Sequence, residues 1–177
     1  MNKEEKCLKS NVIYKGKILT LNCDDVLCSN GEQAKREIVH HRGGVTILAE
    51  VDGKIAFVKQ YRYAYGEEVL ELPAGKIEEG EDPLNSAKRE LTEETGLIAD
   101  ELISFGEMYP SPGYTNEKIY MYVAKGLKKG KQHFDVDEVL DVLYLSIKQI
   151  DELVKNNTIK DAKTLCLLYK YFESKRR

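Results

Sequence analysis

Three glutamates, Glu90, Glu93 and Glu94, stand close together in a segment whose other residues favour a helix. Asp82 is a good N-cap, Pro83 suits the first helical position, and Gly96 follows the last periodic residue as a stop. The spacing therefore predicts a helix over Pro83–Thr95. At about 100° per residue, Leu84, Ala87, Leu91 and Thr95 share an apolar face. Glu90 and Glu94 lie beside that face, about 40° apart, with Glu93 about 60° beyond Glu90 on the other side. Carboxylates spaced three and four residues apart on a helix are side-chain neighbours and repel one another. Near a core edge, where screening is weak, such repulsion has to be relieved by cations. A hard divalent ion such as Mg²⁺ or Mn²⁺ is the natural remedy, because it prefers oxygen ligands, retains waters and bridges carboxylates to substrate phosphates. Arg89 could compensate in part by reaching Glu93 one turn on. A solvated acidic helix face is the plainer alternative, and the three glutamates alone do not exclude it.

The elements that must position this helix are read from periodicity and turns. Residues 12–27, interrupted by Gly16, read as two short strands, and a Ser29-Asn30-Gly31 turn leads to a strand at 36–41. These form an N-terminal β extension over residues 1–42, ahead of a main domain over 43–177. Aliphatic runs at 45–50 and 54–60 flank Asp52-Gly53, a strong hairpin signal. A short strand at 69–72 ends at Pro73. Beyond the helix, strands are expected at about 102–108, 119–124 and 139–146. Two helices close the chain: one runs from Ile147 to about residue 156 behind a Ser146 cap, and the other starts at Asp161 with Leu165, Leu168 and Tyr169 on one face. Strands, helix, strands, helices is the order of an α+β fold with helices flanking a mixed central sheet.

Composition narrows the class. The chain has 177 residues, 27 Lys+Arg against 30 Asp+Glu, a formal charge of -3, and is 42% hydrophobic and 32% charged. That describes one globular domain and argues against a basic nucleic-acid binder, a membrane protein or a disordered chain. The first ten residues mix Lys3, Glu4, Glu5 and Lys6 with few apolar residues and lack the apolar core of a secretory signal, so the expected location is the cytoplasm. Cys7, Cys23, Cys28 and Cys166 show no Cys-x-x-Cys spacing and read as reduced thiols.

The loop before the helix changes the weight of the metal reading. Gly75, Glu81, Arg89, Glu90, Glu93, Glu94 and Gly96 stand at the spacing Gly-x5-Glu-x7-Arg-Glu-Leu-x-Glu-Glu-x-Gly-Leu over the 23 residues from Gly75 to Leu97. This resembles the Nudix box in full. The resemblance implies an α/β/α sandwich around a mixed sheet, and hydrolysis of a nucleoside diphosphate linked to another group, with water as nucleophile and Mg²⁺ (or Mn²⁺) as cofactor. It also implies that Glu90, Glu94 and the Ala74 carbonyl ligate metal, that Glu93 is a further ligand or accepts from a metal-held water, and that Arg89 and Glu81 orient the glutamates.

Outside the box, Gln60-Tyr61-Arg62, the run Val-Leu-Glu-Leu-Pro-Ala-Gly ending at Gly75, and Ser111-Pro112-Gly113 resemble the ADP-ribose pyrophosphatases, and Arg36-Glu37-Ile38-Val39 and Asp161-Ala162-Lys163-Thr164 extend the likeness. That resemblance implies substrate contacts for Arg36 and Arg62 at phosphate or ribose, for Glu71 near the adenosine, and for Pro112 and Glu117. Surface ion pairing is the alternative for both arginines. The general base is implied to lie in the acidic run 133–138. Val136 falls where close relatives carry an acid, which leaves Asp135, Asp137 and Glu138, with Glu138 and Asp137 preferred; Glu93 is the alternative within the box, and a merely solvated loop is the plainer reading. The resemblance further implies a homodimer built through the N-terminal extension. Tyr14 could stack on adenine there or serve ordinary packing. The expected reaction is hydrolysis of ADP-ribose to AMP and ribose 5-phosphate. Its rivals are another NDP-sugar or oxidised nucleotide as substrate, and a non-catalytic ligand sensor.

Overall fold

The computed structural model describes residues 3–132 and 139–176, which form two compact units: Met1–Gly43 with Tyr109–Lys118, and Gly44–Met108 with Ile119–Arg177. In the first unit, β1 (Lys6–Lys9) and β2 (Val12–Lys15) follow one another along one edge of β3 (Leu19–Leu27), and β4 (Gln33–His41) pairs along the other edge. All of these pairings are antiparallel. The 109–118 segment clips to the end of β4 through a bridge from Val39 to Thr115, a Val39 N–H bond to the Tyr114 carbonyl, and a His41 N–H bond to the Asn116 side chain. The structure adds β1, which the sequence pattern does not announce because its residues Lys-Cys-Leu-Lys are all exposed.

The second unit carries a seven-stranded mixed sheet. Its strands are β5 (Gly44–Val51), β6 (Lys54–Arg62), β7 (Glu67–Glu71), β8 (Ala74–Lys76), β9 (Leu97–Met108), β10 (Ile119–Lys129) and β11 (Leu140–Ser146). The order along the sheet is β11-β6-β5-β10-β9, with β7 pairing β6 and β8 pairing β5. Only β5 and β10 run parallel. Asp52 and Gly53 both take positive φ, 51° and 73°, as the turn between β5 and β6 demands.

Alternation along the central strands divides two cores. Val45, Ile47 and Ala49 of β5, Ala56 of β6, and Tyr122 and Ala124 of β10 pack with Ala87 and Leu91 of α1 (Pro83–Thr95). Leu48, Ile55, Phe57, Met121 and Val123 face the other way, onto Ile150 of α2 (Ile147–Lys155) and Leu167, Leu168 and Tyr171 of α3 (Ala162–Lys175). Helices on both faces of one mixed sheet make the expected α/β/α sandwich, an α+β fold. Each large side chain fully buried in these cores contributes about 1.5–3 kcal/mol.

The caps of α1 fall where the sequence puts them. Asp82 accepts from the Leu84 and Asn85 N–H groups, and Gly96 takes the left-handed conformation at φ 68°. The buried face of α1 falls there only in part, at Ala87 and Leu91. It consists of Ser86, Ala87, Glu90, Leu91 and Glu94, while Leu84 is 38% exposed. The helix is rolled so that the two glutamates, and not the leucine of its first turn, face inward. Strand ends also differ: β9 begins at Leu97, five residues before the expected 102, and β8 is an added strand. Neither start can be read locally, since both depend on partners distant in the chain. Among the described residues no helix is long and apolar enough to cross a membrane.

Candidate active site

The site is built on α1 and on the backbone that passes in front of it. β8 pairs with the start of β5, with Ala74 opposite Thr46 and Gly75 opposite Val45, and the Pro73 carbonyl accepts from the Ile47 N–H at 2.8 Å and from the Thr46 hydroxyl at 3.3 Å. This register sets Ala74 and Gly75 directly against α1. The Ala74 N–H donates to Glu94 Oε2 at 2.9 Å. A Cβ on Gly75 would lie 1.9 Å from Glu90 Cδ and 2.0 Å from its Oε1, so only a glycine lets the backbone come this close to that carboxylate. Glu90 is 7% exposed and Glu94 1%.

Buried carboxylates need countercharge, and Arg89 supplies it. Its Nη1 donates to Glu90 Oε1 at 2.7 Å and to Glu93 Oε2 at 2.9 Å. Its Nε and Nη2 hold Glu81 at 3.1 and 3.0 Å, and Nη2 also donates to the Lys76 carbonyl at 3.1 Å. One guanidinium thus links the loop, β8 and two of the three glutamates of α1. The reach to Glu93 is the one the spacing predicts, and the reach to Glu90 and Glu81 comes in addition. The pKa of Arg89 is raised, chiefly by the Glu81 hydrogen bond, and Arg89 in turn holds Glu81 below the ordinary carboxylate range. At the far end of α1, the Gln132 side chain donates to the Glu94 carbonyl, and the Gly130 N–H donates to the Gly96 carbonyl at 2.6 Å.

A second buried carboxylate cluster adjoins the first. Glu71, at the end of β7, is 2% exposed and accepts from Arg62 Nε at 2.6 Å and Nη2 at 2.8 Å. Lys163 of α3 donates to the same carboxylate and to Asp161 at 2.9 Å. Burial pushes the Glu71 carboxyl up, but Arg62 and Lys163 outweigh burial and hold it below its usual 4.5. The Glu71 hydrogen bond raises the pKa of Arg62, burial opposes that, and Glu94 adds to the rise. The two clusters therefore lie within each other's field. The pairing of Glu71 with Lys163 is not among the contacts that the sequence implies. The signal available was the Asp-Ala-Lys-Thr run at 161–164, which carried no role until its position beside Glu71 was known.

The remaining expected site residues lie in the first unit or outside the described residues. Arg36 makes an exposed bidentate pair with Glu5, at 2.9 and 2.5 Å. Pro112 sits in a turn in which the Ser111 carbonyl accepts from the Tyr114 and Thr115 N–H groups, and Glu117 Oε1 lies 3.2 Å from His41 Nδ1. Asp135, Asp137 and Glu138 lie outside the described residues.

Among the described residues no three His, Cys, Asp or Glu side chains stand as a ready-made metal cage. Arg89 Nη1 lies between Glu90 and Glu93 and donates to both. The donor set nonetheless suits a hard divalent cation: two buried carboxylates one turn apart, a third beside them, and a backbone that passes without a side chain.

The match to known proteins follows the same lines. The NUDIX domain model matches residues 39–168, and the chain belongs to that family. It is 42% identical to a methanol dehydrogenase activator of Bacillus methanolicus over 92% of this chain and 89% of that one. It is 40% identical to an ADP-ribose pyrophosphatase of Bacillus subtilis over 91% of this chain and 89% of that one. A GDP-mannose pyrophosphatase of Yersinia enterocolitica is 31% identical over 81% and 82% of the two chains. A solved structure described as an ADP compounds hydrolase superposes with a TM-score of 0.85 at 23% identity, over 96% of this chain and 93% of that one, and confirms the fold.

The crowding at Gly75 is directly testable. Gly75→Ala is expected to displace the Glu90 carboxylate from Arg89 and to cost about 1–3 kcal/mol in urea unfolding, with the circular dichroism spectrum unchanged. Gly113→Ala, which meets nothing within 4 Å, is the control and is expected to leave the midpoint in place.

Proposed function

We propose that this protein hydrolyses the pyrophosphate bond of ADP-ribose to AMP and ribose 5-phosphate, with divalent cations (Mg²⁺, with Mn²⁺ as a substitute) held by Glu90, Glu93, Glu94 and the Ala74 carbonyl. The observation that carries this reading is the burial of Glu90 and Glu94, one turn apart on α1, against the bare backbone of Gly75 and the N–H of Ala74. A bound divalent cation supplies charge neutralisation at the pyrophosphate, a more acidic water and a stabilised leaving phosphate. The chain's own residues do the rest. Arg89 orients Glu90 and Glu93 and ties them to Glu81 and the Lys76 carbonyl, so the glutamates keep their places while the metal and substrate exchange. Arg62, fixed by Glu71 through Nε and Nη2 and with its side chain 36% exposed, offers its remaining N–H groups to a phosphate oxygen. Arg36, Pro112 and Glu117 carry the further substrate contacts that the resemblance implies, and Glu71, buried beneath Arg62 and Lys163, serves the site by holding Arg62. Proton removal from the water is assigned to Glu138 with Asp137, with Glu93 as the alternative inside the box.

The B. subtilis relative supports ADP-ribose as substrate, while the GDP-mannose pyrophosphatases, at lower identity, leave nucleotide sugars as the rival class. The four cysteines are free thiols, which fits the proposed cytoplasmic location. Assay of ADP-ribose, ADP-glucose, GDP-mannose, NADH and 8-oxo-dGTP, with and without Mg²⁺, separates the substrates. The expected result is metal-dependent cleavage that strongly favours ADP-ribose and falls at least a hundredfold in Glu94→Gln, with the fold retained. A preference for another compound would overturn the substrate assignment, and an active Glu94→Gln protein would overturn the metal assignment.

The extension at 1–42 is proposed to form a homodimer. Val12, Ile13 and Tyr14 of β2 and Ile18 in the bend before β3 are each more than half exposed, an apolar surface that a second copy would cover. Light scattering behind size exclusion is expected to give twice the chain mass for the wild type and a single chain mass for Ile13→Asp. A monomeric wild type would contradict the proposal.

A further inference from the structure

We propose that Lys163 is a positioning residue of the substrate site, acting on Arg62 through Glu71 and so setting affinity for the anionic substrate. The proposal rests on the pyrophosphate-hydrolysis reading above.

The geometry separates the roles of two cations that share one carboxylate. Lys163 is held on both sides, by Glu71 and by Asp161 at 2.9 Å, and its side chain is 16% exposed. Asp161 is itself held in place as the N-cap of α3, accepting from the Thr164 N–H at 2.9 Å. The Thr164 hydroxyl accepts from the Leu72 N–H at 2.8 Å, so the first turn of α3 grips two consecutive residues of the strand end, Glu71 and Leu72. Two residues further on, the Ala74 N–H meets Glu94. Lys163 is thus built into the wall. Arg62 is not: Glu71 takes its Nε and one Nη, its side chain is 36% exposed, and Glu94 acts on its charge.

Charge explains why the second cation is needed. An arginine paired with one buried carboxylate forms a neutral unit, which attracts a diphosphate weakly. Screening inside the fold is too poor for solvent to restore that attraction. With Lys163 present, Arg62, Glu71, Lys163 and Asp161 sum to zero and the partial positive charge at the start of α3, about half a unit, tips the group toward positive; without Lys163 the same groups would carry a net negative charge that repels a diphosphate. Glu71 then orients Arg62 by its two hydrogen bonds without cancelling it. Removing Lys163 leaves Glu71 with Arg62 as its sole cation in the cluster, which draws the guanidinium in and spends its charge there.

The test is a double-mutant cycle on the purified full chain, using whichever pyrophosphate compound the wild type cleaves. A wild type inactive on ADP-ribose therefore counts against the substrate reading and not against Lys163. Lys163→Met and Lys163→Gln, the latter keeping a donor without the charge, are each made in the wild type and in Glu71→Gln. Expected are a rise in KM of about tenfold with kcat changed less than twofold, recovery in Lys163→Arg, and less than a twofold further effect on KM in the Glu71→Gln background. The same KM effect in both backgrounds would mean that Lys163 touches substrate itself. A loss of kcat or of thermal stability with KM unchanged would mean a structural role only. Either result overturns the proposal.

Discussion

Carboxylates turned into a protein interior must find positive charge, and much of this fold is arranged around that requirement. Glu71, Glu90 and Glu94 are all under a tenth exposed, and each would be costly if left alone. Arg89 meets Glu90, Arg62 and Lys163 meet Glu71, and the Ala74 N–H meets Glu94. None of these partners is a chance neighbour. Arg89 is anchored to Glu81 and to the Lys76 carbonyl, Lys163 to Asp161, and Ala74 is fixed by its pairing to Thr46. The cost of burial is thereby converted into placement: each carboxylate is offset by a donor that also ties two segments of chain together.

The sheet makes that placement possible. β5 faces α1 with Val45, Ile47 and Ala49 and faces the α2 and α3 side with Leu48, so a single strand braces both helix layers. Its first residues also carry β8, and the close approach of Gly75 to Glu90 follows from that register. A one-residue slip of β8 would exchange Gly75 for a residue with a side chain and drive it into the carboxylate. The glycine at this position is therefore as much a part of the site as the acids.

Local chemistry was readable in the sequence, and distant pairing was not. The helix over Pro83–Thr95, its Asp82 and Gly96 caps, the Ser146 cap and the Asp52-Gly53 turn all depend on residues a few positions apart and appear in the structure as read, while Asp161, read as the start of the last helix, is its N-cap. The box spacing pointed to the right helix and the right family. Periodicity placed Ala87 and Leu91 on the inward face of α1 correctly and misplaced Leu84: in the structure Glu90, bonded to Arg89, and Glu94, bonded to the Ala74 N–H, complete that face instead. The short exposed β1, the β8 pairing and the early start of β9 needed partners that hydropathy does not reveal. Lys163 stood in a quoted run, but its pairing with Glu71 could not be read for the same reason, the two being separated by 92 residues. The association of Tyr109–Lys118 with β4 rests on Val39 and His41, again far apart in the chain.

The inward carboxylates of α1, Glu90 on Arg89 and Glu94 on the Ala74 N–H, are proposed to form a divalent cation site. Titration of the substrate-free protein with Mn²⁺, followed by electron paramagnetic resonance of the free ion, tests this most directly. The account predicts saturable binding to the wild type, a loss of at least tenfold in affinity in Glu90→Gln and in Glu94→Gln, and no change in Glu101→Gln, a residue exposed on β9. Binding that is absent in the wild type, or equal in all four proteins, would contradict it.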